Sequence, residues 1–443
     1  MATYVTQFRS TDTGAKSIDG NVGSLVNVFD STLVIHSVFS TANDSAFNDN
    51  TTEARLNAGT AFTLWPTPGT SDRTYVGMQV PWTRLVVDVA TASSGQTTIF
   101  EYWNGSAWTT LSVTDGTSGF TVDGSITWTA PGNWATTSVN SVTLYWIRVR
   151  FSGSAPGTNP TINSLSYLGW LVYFSGTNQR DYRMGAGTGC YLSVNDNGPN
   201  GTALGKEADV RGYVAMTALA TGTDPFPTAA QVSTGITWRK STATGATTRT
   251  WVLIADDRGM FLGVLTGDTA GRYYEAYFSD LSPTLPGDAY ACLLVGAASE
   301  NSSASRNFGA LSRNINDGAL AGHYMPRTYL GTGTAIQVAK HGDWSMGNAG
   351  SGITGGWAGF VPYPNGPDAS LYLARVWVGE YSSLHRRGKI RGIYQFCHAI
   401  SNYTDLDTLA GTGEYAGKTF VLLKTGSDAT SGYVIETTDG WGT

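Results

Sequence analysis

The chain has 443 residues, of which 41% are hydrophobic and only 14% are charged, and its net charge is −6 at pH 7. This acidic balance argues against a nucleic-acid partner, because nucleic-acid-binding proteins carry a basic footprint. The hydrophobic content is too high, and the net charge too low, for a disordered chain. The first residues, MATYV, lack the regions of a signal peptide, and no run of 18 apolar residues occurs. We therefore expect neither export nor membrane insertion.

The first predicted element is a short helix near the N-terminus. Its apolar face, with intervals of three and four residues, would consist of Val22, Leu25, Val26, Phe29 and Leu33. The preceding Asn21 is of a residue type that caps helices. A second helix is possible only near residues 229–232, after Pro227-Thr228. The sequence thus predicts one short N-terminal helix and little other helix.

Short strands are predicted along the rest of the chain. Glycine is abundant, with 55 residues, and often follows Asn or Asp, as at Asn104-Gly105, a pair that supplies the positive φ angles of tight hairpins. Runs of aromatic and β-branched residues lie at 97–103, 142–151, 250–255 and 420–423. The second run alternates between two faces, with Arg148 and Arg150 on the same side. This pattern predicts an all-β fold of β-sandwich or jelly-roll-like domains.

Two linker-like segments suggest where domains meet. Residues 153–160 (GSAPGTNP) have the composition of a linker, and residues 41–44 (TAND) form a similar region. A dense set of predicted strands lies between them. We therefore expect residues 41–168 to form a self-contained sandwich.

No motif for a metal or cofactor stands out. Cys190, Cys292 and Cys397 are too few and too far apart for a disulfide framework or a zinc site, so we expect buried thiols in a chain made in a reducing cytoplasm. None of the five histidines has metal-ligand spacing, and the nearest approach to a site is His341-Gly342-Asp343. We expect no cofactor and no metal.

The sequence also lacks the common catalytic motifs. Neither H-E-x-x-H nor G-x-S-x-G occurs. A glycosidase needs two acids that flank the scissile bond, but Asp256 and Asp257 are adjacent and would point to opposite faces of a strand. Arg258-Gly259 follows them and is typical of a turn. We predict that the chain is not an enzyme, with a hydrolase of surface glycans as the least favoured hypothesis.

A series of short motifs occurs along the chain in this order: FSGTN at 174–178, YRMGAG at 182–187, RGY at 211–213, FPTAAQ at 226–231, WRKS at 238–241, WVLIADDRG at 251–259, PYPN at 362–365, RGIY at 391–394, AGKTF at 416–420 and YVIET at 433–437. In this order the motifs resemble those of tailed-bacteriophage virion structural proteins of the tail or baseplate type. The similarity covers the first 40 residues and the part from about 170 to the C-terminus.

The resemblance also implies a domain organisation. In that family the short N-terminal helix runs directly into the segment that is GWLVYF at 169–174 here. The resemblance therefore implies a main β-rich body of residues 1–40 plus 169–443, with a division into two subdomains left open, and an insertion at 41–168. The insertion itself resembles the β-sandwich modules of phage tail proteins, through EYWNGSAW at 101–108 and YWIRV at 145–149.

Four tryptophans of the insertion are candidate carbohydrate-binding residues: Trp103, Trp108, Trp128 and Trp134. Flat indole rings can stack on sugar faces, and a phage must recognise a cell surface. The favoured alternative is structural, because Trp103 and Trp108 flank an Asn-Gly turn, and aromatic cross-strand pairs stabilise hairpins.

The one basic run of the chain lies at 385–391 (HRRGKIR) and is a candidate subunit contact through Arg386, Arg387, Lys389 and Arg391. The favoured interpretation is a solvated loop. The useful alternative is a contact with an acidic patch of a neighbouring subunit, and DNA binding comes third because the chain as a whole is acidic.

These observations lead to one main functional hypothesis and two alternatives. The main hypothesis is a virion structural protein, made in the bacterial host cytoplasm, whose low-charge sheet surfaces bind copies of itself and other virion proteins. The first alternative is a host-attachment protein that binds surface polysaccharide through the inserted sandwich. The second is a capsid decoration protein.

Overall fold

The structure, a computed structural model, describes residues 5–57, 59–94, 96–198, 206–267, 273–297, 321–342, 370–380, 383, 385–398, 403–425, 431–438 and 441. The motif at 362–365 and Asp343 of the candidate His-Gly-Asp site lie outside these residues. The chain forms two compact units. The sandwich unit is Phe8–Ser17 plus Val26–Ser175, and the body unit is Met1–Gln7, Ile18–Leu25 and Gly176–Thr443.

Elements are numbered in chain order. Up to residue 176 they are β1 Thr6–Arg9, β2 Ile18–Gly20, α1 Ser24–Thr32, β3 Ser37–Ala42, β4 Ala46–Asp49, α2 Thr51–Arg55, β5 Phe62–Thr63, β6 Arg73–Met78, β7 Arg84–Thr91, β8 Thr97–Trp103, β9 Trp108–Thr110, β10 Thr114–Asp115, β11 Gly124–Thr127, β12 Thr137–Val139, β13 Val142–Ser152, β14 Thr161–Ser166 and β15 Leu171–Gly176.

The later elements are β16 Gln179–Arg183, β17 Tyr191–Asn195, β18 Glu207–Tyr213, β19 Ala215–Ala218, β20 Thr221–Thr223, β21 Ile236–Arg239, β22 Gly245–Arg249, β23 Trp251–Asp256, β24 Gly259–Val264, β25 Tyr274–Pro283, β26 Cys292–Ala297, β27 Ala321–Met325, β28 Ile336–Gly342, β29 Leu373–Glu380, β30 Arg386–Phe396, β31 Thr408–Ala410, the 3-10 turn Gly413–Tyr415, β32 Thr419–Thr425 and β33 Ser431–Glu436. The predicted all-β fold with a short N-terminal helix is confirmed.

The N-terminal helix is α1, and its cap differs from the predicted one. The backbone N–H of Leu25 donates to the Asp196 carboxylate at 2.8 Å, whereas Asn21 hydrogen-bonds to Asp19 instead. The cap thus comes from a residue 171 positions away, which no local pattern could indicate. The second predicted helix, at 229–232, is wrong. Those residues form turns in which the N–H groups of Gln231 and Val232 donate to the Thr228 carbonyl.

The sandwich unit contains two antiparallel sheets. The larger sheet has the order β4-β3-β6-β13-β8-β9, and β12 pairs with the first residues of β13. The smaller sheet has the order β10-β11-β7-β14-β5. Strand β13 alternates as the sequence predicts, because Ile147, Val149 and Phe151 are buried, while Arg148 and Arg150 share the other face. Trp65 packs on Phe151, with ring centroids 5.0 Å apart. The core of this unit is therefore aromatic and sandwich-like.

The limits of the sandwich unit are wider than the predicted insertion at 41–168. Strand β3 starts at Ser37 and pairs with β4 on one side and β6 on the other, so residues 37–40 belong to the larger sheet. A short helix that the sequence did not indicate, α2, also lies in this unit, and Arg55 at its end donates to the Ile35 carbonyl at 2.7 Å. Whether residues 41–168 fold alone stays a prediction.

The body unit is dominated by long antiparallel strands. Strands β25, β26, β27, β28, β29 and β30 pair in sequence, and β30 pairs back with the end of β25. This last pairing closes the set into a barrel-like ring. One core cluster of apolar side chains includes Tyr277, Leu293, Val376, Ile393 and Trp441, and a second includes Tyr394, Phe420 and Val434.

The three cysteines of the chain are free thiols. Cys190 and Cys292 are buried and Cys397 is half-buried. Burial raises the pKa of Cys292 well above its usual value and that of Cys397 to about 11. Among the residues that the structure describes, no helix is long and apolar enough to cross a membrane.

Candidate functional site

Two of the four candidate tryptophans lie in the core of the sandwich unit. Trp128 and Trp134 are each 7% exposed. The Trp128 indole N–H donates to the Trp82 carbonyl at 2.8 Å, and the Trp134 ring contacts Tyr102 and Tyr145 edge to face. Buried rings cannot stack on a sugar, so the geometry removes these two residues from the candidate carbohydrate site.

Trp103 and Trp108 remain partly exposed. They are direct cross-strand partners in the β8–β9 hairpin, and their rings meet edge to face with centroids 5.7 Å apart. The turn between them begins at Asn104, whose side-chain oxygen accepts hydrogen bonds from the N–H groups of Ser106 and Ala107. The pair therefore has the geometry expected for hairpin stabilisation, while part of each ring stays open to solvent.

Arginines gather beside this pair on the outer face of the larger sheet. Arg148 of β13 stands between Tyr75 of β6 and Glu101 of β8 in the strand register. The preceding pair in β13 and β6 is Val149 with Thr74, so the next residues, Arg150 and Arg73, stand across from each other. We call Arg73, Arg148 and Arg150, together with Trp103 and Trp108, the arginine face.

Glu101 neutralises only part of this charge. Its carboxylate accepts from Arg148 Nε at 2.6 Å and from Arg150 Nη2 at 3.3 Å. Burial raises the pKa of Glu101, but the hydrogen bonds and charges of the two arginines outweigh burial and leave the pKa below its usual value. The Arg148 guanidinium carbon also lies 4.6 Å from the centre of the Trp108 ring, which is a cation–π distance.

Arg73 is the least well compensated member of the arginine face. Its Nη1 donates to the carbonyls of Thr70 and Asp72 at 2.7 and 2.9 Å, but its Nε is buried without a hydrogen-bond partner. Burial, followed by the charge of Arg148, lowers the pKa of Arg73. The charge of Asp44 acts in the opposite direction on Arg73, and the Asp44 carboxylate also accepts a hydrogen bond from the Tyr75 hydroxyl at 2.8 Å.

Little in the sequence indicates that Arg73 belongs to this face. Its only signal is the alternation of Arg73 and Tyr75 with Thr74 and Val76 along β6. That alternation predicts one shared face but not the neighbouring strand. The pairing with β13, which joins residues about seventy positions apart, creates the cluster.

The predicted basic contact at 385–391 is a strand, not a solvated loop. Residues 386–391 form the first half of β30. Arg387 and Arg391 are 1% and 2% exposed, and each is paired inside the body unit, so neither can reach a neighbouring subunit. The other two, Arg386 and Lys389, lie over the Trp377 ring at 3.9 and 5.1 Å.

Arg387 joins three segments of the body unit. Its guanidinium donates to Asp288 at 2.8 Å, to Glu380 at 3.0 Å and to the Arg327 carbonyl at 2.7 Å. Glu380 in turn accepts from the backbone N–H of Tyr329 at 2.6 Å. The segments after β25 and β27 are thereby held against the β29–β30 end.

Large apolar side chains are exposed on two of these segments. Leu285 is 54% exposed, Tyr329 36% and Leu330 67%. The Tyr329 ring lies 4.0 Å from the His385 ring, measured between centroids. We call Leu285, Tyr329 and Leu330 the apolar tip.

The adjacent acids Asp256 and Asp257 do not form a catalytic pair. Asp256 is fully buried at the end of β23 and is paired with Arg391. Burial raises the pKa of Asp256 to about 6, against the lowering effect of Arg391. Its role in this geometry is structural, and the prediction that the chain is not an enzyme stays a prediction.

Over the residues that the structure describes, no group of three or more His, Cys, Asp or Glu side chains could hold a metal ion. No protein-family model matches the sequence, and no curated protein matches it.

Proposed function

We propose that the chain is a structural component of a tailed-phage virion, in the tail or baseplate, which acts by binding copies of itself and other virion proteins. The sequence motifs that occur in one order between residue 174 and the C-terminus support the virion assignment. The all-β fold and the low charge content support a role in assembly.

The body unit uses charged side chains internally. Arg239 pairs with Glu207 at 2.7 Å, Lys240 pairs with Asp196, and Arg391 pairs with Asp256, all with side chains 4% exposed or less. These pairs leave the surface with even fewer charges than the composition suggests. A surface poor in charge loses less hydration energy when it is buried against a partner.

The observation that carries the proposal is the apolar tip. The exposed parts of the Leu285 and Leu330 side chains are in contact with water in an isolated chain, and a partner that covers them gains hydrophobic free energy. The Arg387 contacts hold the segments that carry Leu285 and Leu330 in place before a partner binds, which reduces the conformational entropy lost on association. The apolar tip therefore suits a protein-protein contact within a particle.

The direct test replaces Leu330 by Asp and measures incorporation into phage particles by quantitative mass spectrometry. Val122, which is 51% exposed in the sandwich unit, gives the matched control Val122→Asp. We expect Leu330→Asp to be depleted from particles while Val122→Asp is retained. Equal incorporation of the two variants, each soluble and folded, would contradict the assigned contact.

A second function, polysaccharide recognition by the sandwich unit, is supported by one specific observation. Trp103 and Trp108 keep part of their ring surface open beside hydrogen-bonding groups, a combination that suits sugar binding. Binding of the full chain to host surface polysaccharide, compared with Trp108→Ala, tests it. Undiminished binding by Trp108→Ala would remove this candidate.

A further inference from the structure

The arginine face carries more positive than negative charge, because Glu101 accepts hydrogen bonds from both Arg148 and Arg150. Arg73 and Arg150 stand directly opposite each other on adjacent strands, and like charges in that position are destabilising. Three guanidinium groups share Glu101 and the more distant Asp44. The chain holds only 27 Lys and Arg residues among 443, so a group of three on two neighbouring strands is a local excess.

A purely structural explanation accounts for part of this face only. Glu101 and Trp108 hold Arg148 in place, as their contacts show. Arg150 is 27% exposed at the rim of the ion pair, and Arg73 has a buried Nε without a partner. Arg150 reaches Glu101 with two bonds of 3.3 Å, which are longer than the 2.6 Å bond of Arg148, so its guanidinium is the more available for a ligand.

Aromatic rings border the charge on both sides. Trp108 and Trp103 lie toward the β9 edge, and Trp108 also contacts Tyr75 with ring centroids 5.6 Å apart. On the β4 edge Phe47 is 37% exposed and its ring lies 6.1 Å from that of Tyr75. A ligand on this face would meet aromatic surface at its ends and guanidinium groups between them.

We propose that the arginine face binds an acidic polysaccharide, a sugar polymer that carries carboxylate groups. This inference rests on the second proposed function and specifies its ligand class. Arginine matches a carboxylate through its planar donor fork, and the exposed indole surface of Trp103 and Trp108 can pack on the apolar face of a sugar ring. Charge complementarity selects the acidic sugar over a neutral one, because Glu101 is the one carboxylate, among the residues that the structure describes, in an ion pair with any of the three arginines of this face.

Nucleic acid fits this face less well than an acidic sugar does. Phosphate backbones present closely spaced charge and are bound by extended basic surfaces, whereas this chain has a net charge of −6. A polymer with one carboxylate per sugar matches a compact group of three arginines between aromatic rings.

The test is a binding measurement on the full chain with polygalacturonate as the acidic polymer and dextran as the neutral one. The key variant is Arg150→Gln, which leaves Glu101 with Arg148 and so preserves the fold. The control is Arg84→Gln in the smaller sheet, where Arg84 donates to Ser125 at 3.2 Å. We expect Arg150→Gln to weaken polygalacturonate binding by about tenfold, Arg84→Gln to leave it unchanged, and added salt to weaken it.

The outcomes separate this inference from the function on which it rests. Equal binding of dextran and polygalacturonate, insensitive to Arg150→Gln, would overturn the acidic ligand and keep polysaccharide recognition. Binding of neither polymer would overturn the acidic ligand class, while polysaccharide recognition is decided by its own test with host surface polysaccharide and Trp108→Ala. Competition by single-stranded DNA as strong as that by polygalacturonate would overturn the sugar assignment in favour of a general polyanion contact.

Discussion

The replacement of Arg387 tests the internal support of the apolar tip. In Arg387→Met the Asp288 carboxylate loses two charged donors and Glu380 loses one. Both acids are buried, with side chains 3% exposed, so solvent cannot replace the lost charge. Removal of one partner of a buried ion pair costs about 3–5 kcal/mol of unfolding free energy. We expect a loss in that range for Arg387→Met.

Two further variants make this measurement specific. Arg387→Lys keeps the charge but loses the planar fork, so we expect an intermediate loss. Arg386→Gln removes the exposed neighbour over Trp377 and should cost about 1 kcal/mol or less. Equilibrium unfolding in urea gives the free energies, and hydrogen exchange at Tyr329 and Leu330 reports whether the tip loosens. A free-energy loss for Arg387→Met no larger than that for Arg386→Gln would refute the reasoning.

Three more predictions concern the sandwich unit. Burial, and after it the charge of Arg55, lowers the pKa of His36 to about 4, so the free energy of unfolding should fall by about 3 kcal/mol as the pH drops from 7 to 4. Urea unfolding at several pH values should show a weaker pH dependence for His36→Gln than for the unmodified chain. An equal pH dependence of the two proteins would contradict this role of His36. Trp128→Ala should lower the free energy of unfolding by about 3–5 kcal/mol, and Trp103→Ala should lower it by about 1 kcal/mol. Thermal unfolding compares the two variants, and a larger loss for Trp103→Ala would contradict the burial pattern. Gly77→Ala places a Cβ 2.6 Å from the Trp146 ring and should cost about 1–3 kcal/mol, which unchanged unfolding would disprove.

Local periodicity explains what the sequence predicted correctly. The alternation along β13 follows from the strand period of two, so it placed Arg148 and Arg150 on one face without knowledge of the neighbours. The helix α1 was likewise visible from its apolar spacing. In both cases the physical cause lies within a few residues of the pattern.

Long-range partners explain what the sequence missed. The basic run at 385–391 has the composition of a solvated loop, but Arg387 and Arg391 are buried because three acids from other parts of the chain pair with them. These acids are Asp256 and Glu380 on strands and Asp288 in the connection between β25 and β26. A buried arginine is tolerated only when such partners are present. The positions of these acids beside the arginines depend on strand pairing, which one sequence does not reveal.

The candidate tryptophans show the same limit. In the sequence, Trp128 and Trp134 look no different from Trp103 and Trp108. Packing against Trp82 and other core rings buries the first two, whereas the second two lie on an outer sheet face.

Reconstruction of the intact phage particle by electron microscopy, with this chain traced in the density, tests the central claim most directly. The account predicts the chain in symmetric copies in the tail or baseplate, with Leu285, Tyr329 and Leu330 covered by a neighbouring protein. Finished particles without this chain, or with those three side chains open to solvent in every copy, would contradict it.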